Sequence, residues 1–143
     1  VETSLGLIND TFETAITWDR WPAFDAAVRE RVGEALAETF GEHHLLSCRF
    51  THVYPDGPAP YYTWFGMGTQ GSEISQWQTI KDAANEAVVS AGGTSTHHHA
   101  VGRMHRPGAY DVQRPELFAE SIRAVKKRLD PNGILNPGVL IDP

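Results

Sequence analysis

The chain is 143 residues long, 41% hydrophobic and 21% charged, with 18 acidic against 12 basic residues for a net charge of −6. That size and apolar content suit one domain with a core, and an acidic balance with scattered Lys and Arg excludes a nucleic-acid or anionic-membrane surface. A lone cysteine, Cys48, closes no internal disulfide, and no apolar run or leader pattern marks a membrane span or signal peptide, so a soluble cytoplasmic protein is the expectation.

In chain order, the first regular pattern is TFETAITW at residues 11–18. Phe12, Thr14, Ile16 and Trp18 alternate with Thr11, Glu13, Ala15 and Thr17, a period of two that predicts a strand. Pro22 suits a first helical turn. Phe24, Ala27, Val28, Val32, Ala35, Leu36 and Phe40 then recur every three or four positions, a helix stopped by Gly41. His44 to Tyr54 and the stretch YYTWFGMG flank Pro55-Asp56-Gly57-Pro58, which predicts an antiparallel hairpin. A second helix is expected over residues 72–90, with Ile74, Trp77, Ile80, Ala83, Ala84, Ala87 and Val88 on its buried face and Gly92-Gly93 ending it. A fourth strand is expected next. The order strand, helix, strand, strand, helix, strand is that of a ferredoxin-like α+β fold, an antiparallel sheet with helices packed on one face. A third helix from Pro115 to Leu129 and the tail DPNGILNPGVLI complete the chain. With no initiator Met at VETSLGLIND, the sequence reads as the C-terminal piece of a longer protein.

The stretch STHHHAVGR, residues 95–103, sets three of the chain's seven histidines side by side. An affinity tag would sit at a terminus. On a strand, His97 and His99 would share one face and oppose His98. That pair could begin a zinc site, but a third ligand would have to come from His52, His105 or a carboxylate, and no Cys-x-x-Cys or His-Glu-x-x-His spacing supplies it, so no structural metal is expected. A catalytic or anion-binding cluster is favoured over a surface accident, because a glycine-rich turn and Arg103 flank the histidines and let backbone and guanidinium approach an anion. Tyr61 and Tyr62 must face opposite ways on their strand, so one of the two can look into the histidine cleft. His43-His44 reads as a solvated turn, Cys48 as a small core thiol, and the four tryptophans as packing.

Three segments together, DTFETAITWDRW, GGTSTHHHAVGR and VKKRLDPNGILNPGVLI, resemble the C-terminal part of FAD-linked oxidases of the vanillyl-alcohol-oxidase type. Within that group the three-histidine motif is similar to the alkyldihydroxyacetonephosphate synthase branch. The resemblance implies that residues 1–105 form the cap or substrate domain, and that residues 106–143 form a helix and tail returning toward a flavin domain absent from this chain. It implies FAD as cofactor, bound mainly by that absent domain and not by this piece alone. The implied reaction exchanges the acyl chain of acyl-dihydroxyacetone phosphate for a fatty alcohol in ether-lipid synthesis, a transferase reaction through a substrate adduct on the flavin. Carried over by motif, the catalytic tyrosine falls on Tyr61 and the catalytic histidines on His98 and His99. Substrate binding falls on His97 and Arg103, and a cofactor contact on Asn136. The family's proton-abstracting arginine would lie just before Val1. Implied partners are a lipid-phosphate or small hydroxy-acid substrate and the chain's own FAD-binding domain. Peripheral membrane association through the absent part and a homodimer are compatible with the same resemblance.

Two other readings compete. One is an FAD-dependent D-2-hydroxyacid dehydrogenase or oxidase, whose metal-assisted members carry a His-x-x-Gly-Asp-Gly-Asn-x-His motif. The segment THVYPDGPAPYY keeps His52 and Asp56-Gly57 but lacks the second histidine. The other is an isolated ferredoxin-like binding domain without catalysis.

Overall fold

Alternating side chains make β1 (Leu7–Glu13), β2 (His44–Val53) and β3 (Pro58–Met67), joined as one antiparallel sheet in the order β1-β3-β2. The computed structural model describes residues 5–142, so residues 1–4 and 143 of the expected domain bounds lie outside it. The β2–β3 hairpin closes as its turn sequence requires, with the Tyr54 N–H donating to the Gly57 carbonyl at 2.9 Å. Glycine is needed at position 57 because a Cβ there would stand 2.0 Å from the Ile16 carbonyl oxygen.

The first strand lies four residues earlier at its start than the alternation over 11–18 predicts. Beyond Glu13 the chain still runs beside β3: Thr14, Ile16 and Trp18 donate to the carbonyls of Pro60, Pro58 and Asp56 at 3.1, 3.4 and 3.1 Å. Pro58 and Pro60 have no N–H to return, so this ladder is one-sided and the regular strand stops at the Glu13–Tyr61 pair.

The helices α1 (Trp21–Phe40) and α2 (Glu73–Ser90) cover one face of the sheet. Phe24, Val28, Val32 and Leu36 of α1 and Ile80, Ala84, Ala87 and Val88 of α2 meet Ile8, Phe12, Tyr62 and Trp64 of the sheet in a single core. Gly41, at φ +61°, ends α1, and Gly92, at φ +83°, follows α2. Of the residues expected on the buried side of α2, Ile74 is 82% exposed. It sits in the first turn, where α2 overhangs a shallow depression lined by Gly6, Leu7 and Trp77.

Among the described residues the sheet has three strands, not four. Residues 94–102 form bends, tied to the strand side by the Thr94 N–H on the Ala15 carbonyl and the Ala15 N–H on Thr94 Oγ1, at 3.2 and 3.0 Å. The α+β class with helices on one face stands. After the bends come short helical turns over residues 103–113, including α3 (Asp111–Gln113), then α4 (Glu116–Leu129). The apolar side of α4 is largely bare, with Leu117, Phe118, Val125 and Leu129 exposed and Ala119 buried. Arg106 pins the tail through a two-pronged bond to Asp142 at 2.8 and 3.0 Å. No helix among the described residues is long and apolar enough to cross a membrane.

Tyr62 belongs to this core. Its ring stacks on Phe12 at 4.7 Å, and its hydroxyl donates to Asp25 Oδ1 at 2.8 Å. Burial first, and the bond to Asp25 second, push the phenol well above its usual range. Beside it, burial and then the Asp25 charge push the Cys48 thiol up to about 11, so it stays protonated and inert, as a core thiol should. Tyr62→Phe is therefore expected to lower unfolding stability by about 1 kcal/mol, the net worth of one hydrogen bond, measured by denaturant melts of the two chains.

Candidate functional site

The face of the sheet opposite α1 and α2 carries Thr11 and Glu13 from β1, Arg49 from β2 and Tyr61 from β3. Arg49, Tyr61 and Glu13 are direct cross-strand neighbours, a row of cation, phenol and carboxylate spanning the sheet. Tyr61 donates to Thr11 Oγ1 at 3.1 Å, and the Arg49 guanidinium lies 5.0 Å above its ring.

Glu13 ends β1 with its carboxylate almost wholly buried, 2% exposed. A buried charge is sustained only by converging donors. Oε1 accepts the successive backbone N–H groups of His97, His98 and His99 at 2.5, 2.5 and 2.9 Å, and the Thr96 hydroxyl at 3.0 Å. Three consecutive amides turned inward make an anion-binding concavity, and the protein's own carboxylate fills it. Burial alone would raise the Glu13 pKa. The amides of His99, His97 and His98 and the Thr96 hydroxyl together outweigh it and hold the group below the usual carboxylate range.

The turn around Glu13 fans the three imidazoles outward. His97 Nδ1 and His98 Nδ1 are 3.3 Å apart, and Glu13 Oε2 lies 2.9 Å from the latter and 3.4 Å from the former. His97 Nε2 meets the Tyr54 hydroxyl at 3.0 Å. His52 stacks on Tyr54 and touches the rings of His97 and His98, at 5.1 and 5.2 Å between centroids. Tyr61 stands 5.6 Å from the His99 ring and 6.3 Å from that of His98.

Of the residues expected from sequence, Tyr61, His97, His98 and His99 share one end of the open face, and Tyr62 is in the core. The expected pairing of His97 with His99 does not occur, because a turn and not a strand carries them. The donor sets able to hold a cation are instead His52, His97 and His98, and Glu13, His98 and His99, each with its donor atoms within 4.8 Å of one another. The backbone amides expected to approach an anion are occupied by Glu13. Arg103 gives its guanidinium to the Pro137 carbonyl at 3.1 and 2.7 Å, so here it braces the tail. Asn136 lies exposed in that tail at φ +44°. His105, considered above as a ligand, is buried behind the cluster, where burial, then Lys81 and His99, lower its pKa. Glu13, Arg49 and Tyr54 escaped the sequence reading. The one available signal was a carboxylate placed between Phe12 and Thr14 in a strand with apolar neighbours.

The sequence matches the family of FAD-linked oxidases, C-terminal domain, over residues 2–140. It is 30% identical over 140 residues to alkyldihydroxyacetonephosphate synthase of Caenorhabditis elegans, covering 96% of this chain and 23% of that protein. It is likewise 30% identical over 132 residues to the Trypanosoma brucei brucei enzyme of that name, covering 92% of this chain and 21% of that protein. A solved structure of alkyldihydroxyacetonephosphate synthase shares the fold with a TM-score of 0.61 at 15% identity, over 92% of this chain and 20% of that one. The chain thus spans under a quarter of the length of these relatives.

A carboxyl whose folded pKa is depressed adds stability that is present above its unfolded value, near 4.3, and lost as pH falls through the folded one. Thermal melts should therefore show a gap between wild type and Glu13→Gln that is widest near neutrality and closes below about pH 4. A gap independent of pH would contradict the charge assignment.

Proposed function

The chain belongs to the FAD-linked oxidases, of which it matches the C-terminal domain, and we propose that it is the substrate-facing domain of an alkyldihydroxyacetonephosphate synthase-like enzyme. The observation that supports this most is the convergence of Tyr61, His98 and His99 at one end of the open sheet face, with Arg49 beside Tyr61. The proposed reaction exchanges the acyl chain of acyl-dihydroxyacetone phosphate for a fatty alcohol. The FAD of the family, held mainly by a domain outside this chain, supplies the reactive centre at which substrate is activated when it is bound. The residues present fit that division: this face offers ring nitrogens and a phenol for proton handling, and a guanidinium for a phosphate.

In this reading the fatty alcohol gives its O–H proton to an imidazole nitrogen as its oxygen bonds to the dihydroxyacetone carbon, and the fatty acid leaves as carboxylate. The proton then passes to solvent, so the exchange is balanced without net redox. Histidine, with a reference pKa near 6.5, is suited to both steps. Tyr61, hydrogen-bonded to Thr11, orients the reacting oxygen from below. Arg49 takes the phosphate; Arg103 could join it only by exchanging the Pro137 carbonyl for the anion. Residues 106–143 act as the tail that meets the flavin domain, with Asn136 as the proposed cofactor contact.

In the full flavoprotein, His98→Ala and His99→Ala should each lower alkyl exchange on the order of 10²- to 10⁴-fold, as loss of a positioned acid or base does, with flavin content and melting temperature retained. Tyr61→Phe should fall in the same range, and a chelator should leave the rate unchanged because protons and not a Lewis acid are asked of the histidines. Near-normal exchange in both histidine variants would refute the assignment, and loss of activity on chelation would favour the hydroxyacid branch.

A further inference from the structure

We infer that Glu13 is a positioning residue that fixes the tautomer of His98, so that Nδ1 carries the proton and Nε2 presents its lone pair to the cleft. This rests on the proposed acid–base role of the cluster only for its consequence in turnover; the tautomer itself follows from the packing. Three atoms with lone pairs converge here: Glu13 Oε2, His98 Nδ1 and His97 Nδ1, with separations of 2.9, 3.3 and 3.4 Å. Left bare, they would repel one another, so a hydrogen must lie among them. Glu13 cannot be its source. Its carboxyl is held ionised by three amides and a hydroxyl on the other oxygen, and Oε2 is buried without a hydrogen bond of its own, the two ring nitrogens facing it as charge neighbours.

Two imidazoles remain as donors, and distance chooses between them. His98 Nδ1 is the nearer to Oε2, and it is also the neighbour of His97 Nδ1. A proton on His98 Nδ1 therefore bonds to His97 Nδ1 while lying against the Oε2 charge. A proton on His97 Nδ1 would have to reach Oε2 across 3.4 Å, outside a good N–H···O length. With its Nδ1 accepting, His97 carries its proton on Nε2 and donates it to the Tyr54 hydroxyl at 3.0 Å. The chain of bonds then runs in one direction, from His98 to His97 and from His97 to Tyr54, with the charge of Glu13 Oε2 lying against the first donor without a hydrogen bond to it. His98 is 42% exposed at its side chain, which leaves its far nitrogen open to the cleft.

A carboxylate acting this way does more than hold a loop. It selects the less common tautomer of histidine and stabilises the imidazolium that forms when Nε2 takes a proton. Glu13→Gln separates the two functions, because glutamine keeps an oxygen for the three amides and places an NH₂ where Oε2 stood. That NH₂ would donate to His98 Nδ1 and push the proton to Nε2.

The test is nitrogen-15 NMR of the side-chain imidazoles of the 143-residue chain, at a pH where histidine is neutral and with chelator present. Wild type should show His98 mainly as the Nδ1–H form, and Glu13→Gln should reverse it to Nε2–H while the backbone spectrum keeps its dispersion. A wild-type His98 found mainly as Nε2–H overturns the inference even if the variant does not fold, and so does a folded variant with an unchanged tautomer. In the flavoprotein, Glu13→Gln should lower kcat on the order of 10²- to 10⁴-fold with little change in KM, and should cause no further loss once His98 is alanine. Additive losses in that pair would also overturn it. If the protein catalyses a different exchange, the NMR result still stands, so failure of the substrate reading and failure of this inference are told apart.

Discussion

A single buried carboxylate organises the end of the sheet where the chemistry is proposed. Glu13 sits where β1 gives up its ladder, and desolvating its charge would cost several kcal/mol were it not met by three amides and a hydroxyl from the segment 96–99. Neither side is complete alone. Without Glu13 three adjacent N–H groups would point inward with no acceptor; without the turn, an ionised carboxylate would be stranded at the sheet edge. Mutual need of this kind fixes the backbone of the histidines, and through it the direction of their rings.

The rest of the fold holds those two parts in place. Pro58 and Pro60 end the regular pairing of β1 while still accepting hydrogen bonds, so the chain past Glu13 stays close to β3 and its Ala15 can receive Thr94. Gly93 lets the segment after α2 come in tightly, since a Cβ there would stand 2.6 Å from the Phe24 ring and 2.7 Å from Thr14 Oγ1. The core face of the sheet, with Tyr62 and Trp64 fully buried, keeps Tyr61 on the opposite face by the two-residue period of the strand. Stability and chemistry are thereby divided between adjacent tyrosines.

Much of this was legible in the sequence. Periodicity placed both long helices, the hairpin and their stops, because those elements are set by local spacing and by glycine and proline chemistry. Motif resemblance pointed to Tyr61, His98 and His99, which the fold gathers at one place. What escaped depended on contacts that local spacing does not announce, the longest of them between Glu13 and His99, 86 positions apart. A strand was expected at His97–His99 because nothing local announces that Glu13 will claim three of its amides. The His97–His99 pairing failed for that reason, and the amides expected to approach an anionic ligand hold the Glu13 carboxylate. Arg103 looked free because its acceptor, the Pro137 carbonyl, is 34 residues on. Arg49 looked unremarkable until β2 and β3 came into register beside Tyr61.

The most direct measurement of the central claim is an NMR titration that follows the Glu13 side-chain carboxyl carbon and the backbone amides of His97, His98 and His99 together through the acid range. The account predicts that Glu13 titrates below an ordinary glutamate, near 4.3, and that all three amides shift with its midpoint. A Glu13 midpoint at or above the ordinary value, with amides that do not follow it, would contradict the account.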